Sequence, residues 1–138
     1  MTRRTPTLLT ALATGSVVLL AACGGDDGGP PLSADAEAGR SIYRSSGCAS
    51  CHGSNRQGGV GPALEGIWGT EIELDDGTTV IADAAYIEQS IRDPRSQIVK
   101  GYSLPMPTNN LTDDEIDSII DFVEAIGPTA AGAEGADG

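Results

Sequence analysis

Gly47-Cys48-Ala49-Ser50-Cys51-His52-Gly53 is the stretch on which the reading of this chain turns. Two intervening residues let a single helical turn present both sulfurs along one edge, and the imidazole that follows the second thiol comes off the same turn. Three other uses of such a pair compete. A dithiol redox pair opens a helix after a strand, within alternating strands and helices, whereas this one follows a helical pattern and precedes a glycine-rich loop. A structural zinc site needs four ligands, and His52 is the single histidine of the chain. A plain disulfide leaves His52 without a role.

Cys-x-x-Cys-His is also the attachment signature of c-type haem, in which both thiols add to porphyrin vinyl groups and the adjacent histidine reaches the iron. The core inventory agrees with that reading. The 138-residue chain has one Phe, one Trp and three Tyr, too few large apolar side chains for a domain of its size to bury enough surface unaided. One covalent haem c supplies the missing apolar bulk, and the apoprotein is expected to be largely unfolded.

The third cysteine has a different setting. Arg3 and Arg4 precede an apolar run from Leu8 to Ala22, an n-region followed by an h-region too short to span a bilayer. Leu20-Ala21-Ala22-Cys23 resembles the lipobox of bacterial lipoproteins, which makes 1–22 a signal peptide and Cys23 the acylated first residue of the mature protein. An ordinary secretory signal that happens to hold a cysteine is the competing reading. The expected location is extracytoplasmic, anchored by lipid on the periplasmic side or on the outer face of the cytoplasmic membrane. Loss of Arg3 and Arg4 leaves six basic residues against all twenty acidic ones, a net charge of about −14. Nucleic acid is an unlikely partner for such a surface.

Residues 23–32 are a glycine- and aspartate-rich tether, and residues 128–138 a tail without core formers, expected to be disordered. The domain between, 33–127, is mostly α, with about three main helices and a minor β-hairpin. Ser33 caps a first helix to about Ser46, with Ala38, Ile42 and Tyr43 as its thin apolar stripe. Asp83 caps a second helix carrying Tyr86, Ile87 and Ile91, stopped by Asp93-Pro94. Thr112-Asp113-Asp114-Glu115 is a capping box for a third, with Ile116, Ile119, Ile120, Val123 and Ile126 at helical spacing. Glu71–Leu74 and Thr78–Ile81 flank Asp76-Gly77 as a hairpin.

Apart from the initiator, Met106 is the only methionine, and prolines at 105 and 107 stiffen the strap around it. It is the candidate sixth ligand to the iron, with His52 the fifth; a methionine that merely fills the core is the alternative. Met/His ligation raises the reduction potential relative to more basic axial pairs.

Over residues 33–127 the chain resembles the monohaem class I cytochrome c family, and most of all the cytochrome c domain fused to subunit II of bacterial haem-copper oxidases. The matching residues are Gly47–Gly53, Val60-Gly61-Pro62-Ala63-Leu64, Leu74–Val80, Tyr86-Ile87 with Ile91, and Gly101-Tyr102 with Met106-Pro107. The resemblance implies the small class I fold around one haem. It further implies that the Pro62 carbonyl holds Nδ1 of His52, and that Gly39 and Tyr43 cross the last helix near Phe122. Trp68 and Tyr102 would touch a haem propionate or the ligand strap, or else are ordinary core. The chain has neither the transmembrane hairpin nor the copper domain of an oxidase subunit II.

These residues point to a membrane-anchored one-electron carrier of a respiratory chain, not an enzyme, since the only histidine is committed to iron and no nucleophile with a base is visible. By resemblance a haem-copper oxidase would be the acceptor and a quinol-oxidising complex the donor, each docking through a basic patch. A peroxidase-like enzyme or a gas or redox sensor with a labile distal ligand is the alternative.

Overall fold

The computed structural model describes residues 31–128; the signal region, Cys23, the tether to residue 30 and the tail from 129 lie outside them. Four helices and one hairpin run in the order α1 (Ala34–Ser45), α2 (Ala49–His52), β1 (Glu71–Glu73), β2 (Thr79–Ile81), α3 (Ala84–Arg92) and α4 (Asp113–Ala125).

Each long helix starts where a side-chain oxygen takes up an amide that helix geometry leaves over. Ser33 accepts from the Ala36 N–H at 3.1 Å and Asp83 from the Tyr86 N–H at 2.9 Å. At α4 the box is reciprocal: Thr112 accepts from the Glu115 N–H at 3.3 Å, and Glu115 accepts from the Thr112 N–H at 2.8 Å. α3 ends at Arg92, before Asp93-Pro94.

One expectation fails in detail. The buried stripe of α1 is Ala36, Gly39 and Tyr43, and Ala38 faces solvent. The reason is that α1 crosses α4 at Gly39, where a Cβ would stand 1.9 Å from the Ser118 carbonyl oxygen. That contact sets the rotation of α1, and residues three before and four after Gly39 share its face. Tyr43 and Phe122 then meet with ring centroids 5.7 Å apart, both almost fully buried.

The rest of the core joins Ile67, Leu74 and Ala82 to Tyr86, Ile87 and Ile91 of α3 and to Ile116, Ile119, Ile120 and Val123 of α4. The hairpin is antiparallel, pairing Glu71 with Ile81, Ile72 with Val80 and Glu73 with Thr79. It also takes a partner from later in the chain. Leu74 bridges Val99, the Asp75 N–H donates to the Ile98 carbonyl at 2.8 Å, and the Lys100 N–H donates to the Glu73 carbonyl at 2.9 Å. The segment that leads into the Met106 strap is therefore laid along the hairpin edge.

Candidate functional site

α2 is a single turn, and its shortness is what brings Cys48, Cys51 and His52 together. The Cys51 and His52 amides both turn back to the Cys48 carbonyl, at 3.2 and 3.0 Å. A helix end leaves carbonyls over, and here the glycine loop that follows supplies the donors: Gly61 N–H to Cys51 at 3.0 Å and Gly58 N–H to His52 at 2.8 Å. Folding back in this way carries Pro62 to the histidine, its carbonyl oxygen 2.8 Å from Nδ1. A carbonyl can only accept, so Nδ1 carries the proton and the Nε2 lone pair is left to act as a ligand. Gly61 lies against the ring itself. A Cβ at that position would come within 2.9 Å of His52 Cε1.

His52, Pro62, Cys48 and Cys51 line one cleft, and Met106 lines the same cleft with Leu64, Ile87, Ile119 and Val123. It encloses about 1190 Å³ counting its open mouth. Burial pushes the Cys48 thiol up, so at neutral pH it stays protonated. The two sulfurs are not bonded to each other. The donor set is therefore two thiols, one imidazole and one thioether around an apolar slot. Those residues fit a flat, apolar, iron-bearing ring attached through two sulfurs.

The family model for cytochrome c matches residues 36–127. The chain belongs to the cytochrome c family. Among solved structures, cytochrome cH from Methylobacterium extorquens is similar, with a TM-score of 0.46 at 28% identity, over 65% of this chain and 97% of that one. No curated protein matches the chain. Membership brings covalently attached haem c, borne by Cys48 and Cys51 in this cytochrome, and a role as a haem electron carrier.

Not every candidate reaches the cleft. Neither Trp68 nor Tyr102 lines it. Trp68 packs on the core beneath the end of α4, where a Cβ on Gly127 would be 2.9 Å from its own Cβ. Tyr102 is half-buried at the start of the strap, its N–H donating to the Val99 carbonyl at 3.0 Å.

Other residues at the site carry no motif. Tyr43 lines the cleft and its hydroxyl donates to the Gly53 carbonyl at 2.5 Å. Asn109 anchors the far end of the strap through Nδ2 to the Ile91 carbonyl at 2.9 Å, while its Oδ1 accepts from the Leu111 N–H at 3.2 Å. An Asn a few residues before a capping box is the only sequence signal for that anchor, and it is a weak one.

Proposed function

We propose that this cytochrome is a membrane-anchored one-electron carrier of a respiratory chain, with His52 and Met106 as the axial ligands of its haem. When bound, the haem supplies a one-electron ferric/ferrous couple. The chain's own part is to hold that couple still and keep water from it. Pro62 fixes the tautomer and orientation of His52, Gly61 leaves room for the ring, and the prolines beside Met106 limit the conformations of its strap. The apolar cleft walls favour the less charged, reduced state, as does a thioether ligand.

The observation that carries this reading is that His52, with its Nδ1 committed to Pro62, and the sole internal methionine line the same apolar cleft. Acylation of Cys23 would hold the domain at the extracytoplasmic face. A haem-copper oxidase is the acceptor and a quinol-oxidising complex the donor, each offering basic charge to this acidic protein.

The test is the optical spectrum of the purified holoprotein, beside that of Met106→Ala. The far-red charge-transfer band of methionine-bound ferric haem is expected in the native protein, with no change when carbon monoxide meets the reduced form. The variant should lose the band and bind carbon monoxide. Ready carbon monoxide binding by the native protein would overturn the carrier reading in favour of a sensor or peroxidase-like enzyme.

A further inference from the structure

Two costs meet at Arg56. Its backbone φ is 63°, the only left-handed value at a residue other than glycine among the described residues, and its side chain is the only buried charged one among them, 7% exposed. A Cβ is crowded in the left-handed region, and a guanidinium, charged at any ordinary pH, loses its hydration when buried. Apolar side chains in place of a buried ion pair are often neutral or stabilising, so stability does not account for this arrangement. Strained residues that persist cluster instead where a fold works on a ligand.

The main chain of Arg56 closes the loop that follows His52. Its N–H donates to the Gly53 carbonyl at 3.0 Å, and its carbonyl accepts from the Leu64 N–H at 2.9 Å and the Glu65 N–H at 3.2 Å. The loop so closed contains Gly61 and Pro62, both set against His52. The side chain stands one layer behind the cleft. Its guanidinium is 5.9 Å from the Phe122 ring centroid, Phe122 is 5.7 Å from the ring of Tyr43, and Tyr43 lines the cleft. The partner carboxylate of Glu65, 3.1 Å away, lies on the water side, with 58% of its side chain exposed. Water and salt screen the carboxylate far more than they screen the guanidinium. The pair is neutral in count, yet the interior feels a net positive charge.

We infer that Arg56 tunes the haem couple: its buried cation, with Glu65 as a solvent-side counterweight, favours the ferrous state and raises the reduction potential. This inference deepens the carrier reading, in which His52 and Met106 hold the iron. Reduction adds one electron, so a nearby positive charge stabilises the product. The chain has twenty acidic residues against eight basic ones, a balance that opposes reduction. A buried cation offsets that balance where the dielectric is low and its effect is largest.

The test is spectroelectrochemical titration of the holoprotein beside Arg56→Met and Glu65→Gln, read as the ferrous-to-ferric ratio at one fixed potential. Arg56→Met should lower the ratio about four- to fifteenfold, the effect of one charge over roughly 10 to 20 Å at an effective dielectric of about 20, tenfold being about 59 mV for one electron. Glu65→Gln removes the counter-charge and should raise the ratio about twofold at low salt and less at high salt, whereas the Arg56→Met shift persists in salt. Opposite signs separate charge from structure, because loosening the loop from either side of one ion pair would move the ratio the same way. Shifts of one sign, or either variant without a shift at low salt, would overturn the inference. Should Arg56→Met fail to bind haem, Glu65→Gln decides alone, since its carboxylate is exposed. A native holoprotein without the far-red methionine band would instead overturn the ligation beneath the carrier reading. That failure is distinct, because the signs of the two shifts depend on the haem c and not on its sixth ligand.

Discussion

The hydroxyl of Tyr43 donates to the carbonyl oxygen of Gly53 across 2.5 Å, so the first helix holds the residue that follows His52. The same oxygen also accepts from the Arg56 N–H at 3.0 Å, which keeps it partnered when the phenol is removed. Tyr43→Phe should therefore cost only about 1 kcal/mol, read from guanidinium unfolding of the holoprotein. Burial, then the neighbouring Cys48, push the Tyr43 phenol from its ordinary 10.0 up to about 12, while Arg56 pulls the other way. The Cys48 part disappears once its sulfur is a thioether. Because the folded value lies above the unfolded one, the phenol's contribution is complete below pH 10 and is lost as pH rises towards 12. Native protein should lose stability over that window, and Tyr43→Phe should lose less.

Gly39→Ala tests the helix crossing. The added Cβ would meet backbone, the Ser118 carbonyl oxygen at 1.9 Å, as well as the Phe122 Cβ at 2.8 Å, so the helices have to part. A loss of about 3 kcal/mol is expected, with lower yield of holoprotein, measured by denaturant midpoint and haem content. A near-neutral result would mean that α1 can slide along α4.

Loss of the Thr112 hydroxyl should cost about 1 kcal/mol, seen as a lower melting temperature of Thr112→Ala. The box has a pH signature as well. The Thr112 backbone N–H, then its hydroxyl, hold the Glu115 carboxyl below its ordinary 4.5. A folded value below the unfolded one means that the contribution is present above pH 4.5 and is lost as pH falls through the lowered value. Glu115→Gln should be the less acid-sensitive protein, judged by the change in melting temperature from neutral to acid pH.

The strap that bears Met106 is braced by the hairpin, and Asp75→Pro removes one tie. The Gly77 N–H donates to the Leu74 carbonyl at 3.0 Å, which puts Asp75 at the second position of a turn, where proline is well tolerated. What goes is the 2.8 Å bond from its N–H to the Ile98 carbonyl. With Met106 as iron ligand, carbon monoxide binding to the ferrous protein should speed up by about two- to tenfold, the factor that one net hydrogen bond supplies. A lower unfolding midpoint with unchanged carbon monoxide kinetics would make the hairpin framework only.

Several of these features can be read straight from the chain. Ser33, Asp83 and Thr112 mark helix starts, Asp93-Pro94 a stop, Asp76-Gly77 a hairpin, and Cys48-Ala49-Ser50-Cys51-His52 the group the fold is built around. All are relations between residues no more than four apart, where hydrogen-bond geometry and rotamer direction depend only on near neighbours. The small aromatic inventory belongs with them, because a deficit of core formers is a property of composition.

Tertiary structure decided what lies between distant segments. It placed Ala36 rather than Ala38 on the buried face of α1, because the approach of Gly39 to Ser118 sets that helix's rotation. It put Tyr43 on Gly53 and the hairpin on the Met106 strap, and left Trp68 and Tyr102 off the cleft walls. It also gathered two segments without acidic residues, far apart in sequence, around one opening. Such relations depend on which surfaces remain to be buried once every helix has formed, and close packing selects among them only when the whole chain is in place.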